Sequence, residues 1–146
     1  MRRIVCIGSR LVAEDAAGPA VYDLLSSRPL PDGVEVIDGG LGGLSLLRTA
    51  DGAEGLVFVD AVSGFGAPGE VLLLSAQDVA AEATPDGHDG GLPFLLALLP
   101  RASDVPPGEV AVVGLEAPWD DDAVGRAASL AVTTVFGLGR AAGAVE

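Results

Sequence analysis

Short apolar runs at positions 3–7, 34–37 and 56–59 are dominated by Val, Ile and Leu, and each stops at a Gly or an Asp. They are too short for helices and are rich in Val and Ile. Runs of this kind suit strands buried on both faces, as in the middle of a parallel sheet. Two further strand candidates lie at 70–74 and 109–115, while helical spacing runs over about 19–26, 41–49, 91–99 and 123–138. Strands alternating with helices indicate an α/β fold.

One connection breaks the alternation. Positions 61–69 are rich in Gly and carry Pro68, which leaves no room for a crossover helix. The strand that follows should therefore return antiparallel, at an edge of the sheet. The expected fold is a three-layer α/β domain with helices on both faces of a twisted, mostly parallel five-stranded sheet that has one antiparallel edge strand, of the phosphorylase/hydrolase-like kind. A length of 146 residues suits a single domain over 1–146, with a Gly/Ala-rich tail expected to fray after about 138.

Composition narrows the functional classes. Hydrophobic residues make up 49% of the chain and the mean hydropathy is +0.48, yet Gly, Pro or charge interrupts every apolar stretch before membrane-spanning length. The run after Arg2-Arg3 stops at Gly8, short of an apolar signal core, so no export is expected. A lone cysteine, Cys6, sits inside an apolar run and reads as a small buried residue in a reducing cytoplasm. The formal charge of −13 argues against nucleic acid and anionic membrane as partners.

The segment Gly64-Phe65-Gly66-Ala67-Pro68-Gly69 spells GxGxxG. A dinucleotide fingerprint needs a helix to follow, whereas this segment runs into a strand, so it reads as a hairpin loop. Asp120-Asp121-Asp122 precedes the last helix and reads as capping. Asp38 suits a turn or the sheet edge, and Trp119 suits packing. Ser9, Ser45 and Ser63 lack any nucleophile motif.

Carboxylates at strand ends are more informative. Asp60 ends the third apolar run, and Asp15 lies in the loop leaving the first, ahead of the helix announced by Gly18-Pro19. Both positions belong to the C-terminal edge of the sheet, where open α/β sheets bind ligands. The only histidine, His88, lies in a Gly/Pro-rich loop that can fold back over the same crevice. Two carboxylates and an imidazole can hold a first-row divalent ion with positions left open. Taken singly, each residue also suits a plain role: Asp15 as an N-cap, Asp60 as a strand-ending turn residue and His88 as a solvated loop histidine.

The order of these motifs resembles the nickel-iron hydrogenase maturation protease family. The matching segments are Ile4-Val5-Cys6-Ile7-Gly8-Ser9-Arg10-Leu11 through Glu14-Asp15-Ala16-Ala17-Gly18-Pro19, Asp38-Gly39-Gly40, Val59-Asp60-Ala61, Pro68-Gly69, Gly87-His88-Asp89 and Val112-Val113-Gly114-Leu115-Glu116. The resemblance implies an aspartic-type endopeptidase in which Asp15, Asp60 and His88 bind metal, and Asp15 and Asp60 are the candidate catalytic carboxylates. It implies no permanently bound cofactor: nickel arrives with the hydrogenase large-subunit precursor, whose C-terminal extension is cut, and Cd or Zn can take the same position in vitro. A cytoplasmic monomer is expected. Either a carboxylate or the ion can activate water, and the sequence leaves both routes open. The alternative is a non-catalytic metal-binding or chaperone module for the same precursor. Ser9-Arg10 and Ala16 depart from the family pattern beside the site.

Overall fold

The computed structural model describes residues 1–41, 43, 45–83 and 91–139. Five strands form one sheet: β1 (Arg2–Ile7), β2 (Val34–Gly40), β3 (Gly55–Val62), β4 (Val71–Ser75) and β5 (Glu109–Glu116). Their order is β2-β1-β3-β5-β4; β4 alone runs antiparallel, paired with β5 from Val71 opposite Leu115 to Ser75 opposite Ala111. The helices are α1 (Ala17–Ser26), α2 (Leu46–Ala50), α3 (Ala76–Ala80), α4 (Gly91–Ala102) and α5 (Asp121–Gly137). The expected architecture, including the antiparallel edge strand, is the one observed, except that the run at 34–37, expected as a buried central strand, forms β2 at the other edge of the sheet, where it has no second neighbouring strand and only Val34 is buried.

Alternation along the central strands explains the layers. Ile4 and Cys6 of β1, Val57 and Val59 of β3, and Val113 and Leu115 of β5 pack on one face with α1 and α5. Val5, Ile7, Leu56, Phe58 and Val112 pack on the other with α2, α3 and α4. Every residue from Leu56 to Val59 is fully buried, so β3 has no solvent face until its last three residues, which are half-buried. At about 25 cal/mol per Å² of apolar surface, each such side chain contributes roughly 1.5–3 kcal/mol. Burial also pushes the Cys6 thiol up to about 12, which leaves it inert at neutral pH.

Three differences from the sequence reading concern helices. Positions 41–49 were expected to form one helix, but α2 starts only at Leu46, after Gly43 takes a φ of +90° that a helix cannot use. Helix α3 was not foreseen. It begins where Ser75 Oγ accepts the Asp78 N–H at 3.0 Å, an N-cap that the pattern Ser75-x-x-Asp78 announces. Helix α4 carries on through Pro100 to Ala102 instead of ending at Leu99, because packing of Leu95, Leu96 and Leu99 outweighs the hydrogen bond that the proline removes. The expectation for the tail falls largely on residues outside those described.

A glycine sets the close approach of α1 to the sheet. Any Cβ at Gly18 would collide with the backbone of Ile7, and a backbone carbonyl at the end of a buried strand cannot move aside. Gly125, in α5, has nothing within 4 Å of such a Cβ. Gly18→Ala is expected to destabilise the protein by about 2 kcal/mol or more. Gly125→Ala should stabilise it by about 0.5–1 kcal/mol, through helix propensity alone. Urea denaturation of both variants checks the contrast, and equal effects would mean that the Gly18 contact does not govern packing.

Candidate active site

The C-terminal ends of β1, β3 and β5 gather at one edge of the sheet, and the loops that leave them build the site. The first loop runs from Gly8 to a single 3-10 turn, Ala13–Asp15, before α1. Ser9 N–H donates both to the Asp15 backbone oxygen, at 3.1 Å, and to its Oδ2, at 3.0 Å. Gly8 makes this possible: its φ is +146°, and a Cβ there would strike the Asp15 carbonyl and come within 2.9 Å of Pro19. Asp15 is thus no helix cap. The N-cap of α1 is Ala16, without a side-chain bond, and the Asp15 carboxylate is turned back to the end of β1.

The residues that depart from the family pattern have defined partners. Ser9 Oγ accepts the Leu11 N–H at 3.1 Å, closing the turn. Arg10 extends a fork to Asp23 on α1, with Nη1 to Oδ2 at 2.8 Å and Nη2 to Oδ1 at 2.9 Å, and reaches Asp38 at the end of β2 at 3.5 Å. Bidentate geometry of this kind fixes orientation as well as distance. The pairing holds the Asp23 carboxyl below the usual carboxylate range. Asp38 also accepts the Gly40 N–H at 3.1 Å, so it serves both as turn residue and as edge anchor.

Asp60 lies in β3 opposite Gly114, two residues before the strand ends at Val62, and so is not the terminal residue that the apolar run suggested. Its side chain shares the face of Phe58 and lines a hollow of about 150 Å³ with Phe65, Val79 and Leu92. Burial, then the nearby Asp15 charge, pushes its carboxyl up to about 8; the Ala61 backbone N–H offsets only part of this. Asp15 itself lines a neighbouring cleft of about 300 Å³ with Glu14, Ser63 and Glu116. Residues Ala61, Val62 and Ser63 form a wall common to both.

The structure therefore brings two of the three predicted site residues together. His88 lies outside the described residues. Among the described residues, no group of three His, Cys, Asp or Glu side chains is close enough to hold a metal ion. The residue that sequence reasoning missed is Glu116, 7% exposed at the end of β5, whose Oε2 accepts the N–H groups of Phe65 at 2.7 Å and Gly66 at 3.0 Å. The rule that singled out Asp60, a carboxylate at the end of a Val-rich strand, applies equally to Val112-Val113-Gly114-Leu115-Glu116.

Comparison with known proteins places this geometry. The hydrogenase maturation protease family matches residues 19–133. This chain belongs to that family. It is 33% identical over 107 residues to the hydrogenase 2 maturation protease of Escherichia coli, a match covering 70% of this chain and 65% of that protein, just under two thirds of the relative's length. Among solved structures it resembles the E. coli hydrogenase maturating endopeptidase HybD, with a TM-score of 0.70, 29% identity, and coverage of 92% of this chain and 90% of that one. An E. coli endopeptidase solved in solution gives a TM-score of 0.73 at 28% identity, covering 98% of this chain and 94% of that one.

The raised Asp60 carboxyl makes a prediction about stability. Its ordinary value is 3.8 and its folded value about 8, so the folded state binds the extra proton between them. The stability that Asp60 contributes is fully present below pH 4 and is lost as pH rises through 8. Asp60→Asn lacks this slope. It should melt about 3 °C or more above the wild-type chain at pH 8, with the gap shrinking toward pH 4. Thermal melts across that range check the expectation, and a constant gap would show that the carboxyl is not perturbed.

Proposed function

We propose that this chain is an endopeptidase that removes a C-terminal extension from the precursor of a nickel-iron hydrogenase large subunit after nickel has been inserted. The observation that carries the reading is the Asp15/Asp60 pair at the ligand-binding edge of a family fold, where burial and then the Asp15 charge raise the Asp60 carboxyl. Either carboxylate can accept a proton from the attacking water and pass it to the leaving amine, or the substrate-held ion can lower the pKa of that water.

The metal is part of the substrate in this reading. Asp15, Asp60 and His88 recognise nickel that the precursor already holds, and their oxygen and nitrogen donors leave positions for the precursor's own ligands. No metal resides in the protein between turnovers. The proposed setting is the cytoplasm and the proposed state a monomer; no helix among the described residues is long and apolar enough to cross a membrane.

The test incubates the chain with nickel-loaded and nickel-free precursor and follows the mass of the large subunit. Shortening of the nickel-loaded form alone is expected; a nickel-loaded precursor that is never shortened would falsify the proposal. Asp15→Asn, Asp60→Asn and His88→Ala should each slow cleavage by about 100-fold or more. If these variants cleave normally and change only precursor association, the chain is a holding module and not a protease.

A further inference from the structure

The loop at 63–69 carries no helix and no long side-chain network, yet it supplies Ser63 to both hollows and Phe65 to the Asp60 hollow. What holds it is the end of β5. Besides the two bonds to Glu116 Oε2, Gly69 N–H donates to the Glu116 backbone oxygen at 2.9 Å, and Glu116 N–H donates to the Glu70 oxygen at 3.0 Å. Glu70 Oε1 accepts the Ala67 N–H at 2.8 Å and closes the base of the loop. Side chain and main chain of one residue thus anchor the middle and the far end of the loop.

We propose that Glu116 is a positioning residue for the cleavage reaction: its buried carboxylate pins Phe65 and Gly66 so that the loop forms a fixed wall beside Asp15 and over Asp60. This rests on the protease reading given above. Three observations support it. Glu116 is buried, so its oxygen is not exchanging these donors for water. One carboxylate oxygen takes adjacent N–H groups, which fixes the direction of the loop as well as its distance. Phe65 also packs against the core on the α2–α4 face, so its placement sets the depth of the Asp60 hollow.

The role predicted for Glu116 is that of an acceptor, not of a base or a metal ligand. Glu116→Gln keeps an acceptor oxygen at the same reach. Glu116→Met keeps the volume and removes the acceptor. The measurement combines amide hydrogen exchange at Phe65 and Gly66 with kcat and KM for nickel-loaded precursor, using wild-type turnover as the control for the protease reading itself. Expected for Met is loss of protection at those amides and a kcat about 100-fold lower, in line with the cost of a displacement near 1 Å. Gln should keep the protection and stay within about 10-fold of wild type. Glu116→Ala, which lets water reach the freed donors, should behave as Met does and covers the case in which Met fails to fold.

Two results would overturn the inference. If Gln is as inactive as Met while its amides remain protected, Glu116 acts through its charge. If Met or Ala turns over like wild type despite free amides, the loop is no wall of the site. Wild-type chain that leaves the precursor intact would instead defeat the protease reading, a result separable from the exchange data.

Discussion

Burial of β1 and β3 on both faces is the constraint from which the remainder follows. A strand with no solvent side needs helices above and below it, and parallel neighbours need crossovers; here α1 and the C-terminal α5 cover one face and α2, α3 and α4 the other. The helices then occupy the surface that the faces of the central strands would offer. What remains for chemistry is the edge where the strands end, and the chain spends its irregular segments there. Asp15, Asp60 and Glu116 all lie at that edge, each supplied by a different strand or by the loop that leaves it.

Main-chain amides, more than side chains, hold the acidic groups in place. Asp15 is fixed by Ser9 N–H, Asp60 is touched by the Ala61 amide, and Glu116 takes the amides of Phe65 and Gly66. Amides can offset negative charge without supplying a cation that would compete for it. This matters in a chain whose formal charge is −13, where 8 Lys and Arg face 21 Asp and Glu. Arg10 illustrates the economy: its fork joins the first loop to α1 and β2 and does not point at the carboxylates of the site.

Strands β1 and β3 were legible because burial on both faces leaves an unmixed apolar run with punctuation at its end, the edge position of β2 was not legible in its Val/Ile-rich run, and the antiparallel β4 was legible from the Gly/Pro-rich connection before it. Asp60 was legible for the same reason, as the first polar residue after Val59. Short helices were not. Helix α3 has five residues, too few for a period to register, and only the Ser75 cap announces it. The start of α2 was hidden because Leu41 and Leu44 look like part of an apolar helix face, whereas the backbone at Gly43 rules out that course. Glu116 was passed over because its role depends on amides fifty residues away in sequence, and amides have no letter code.

The division of the core by the sheet has a consequence for access. The Asp60 hollow opens on the α2–α4 face, whereas the cleft of Asp15 is walled by the loop that leads into α1, on the other face. Ala61 and Val62 at the end of β3, with Ser63 just after them, are the partition over which they meet. A reacting group that must touch both carboxylates has to straddle this ridge, as a thread lies over the edge of a board. Broad, folded surfaces cannot bend so sharply. A single extended strand of polypeptide can, and a free chain end most easily of all.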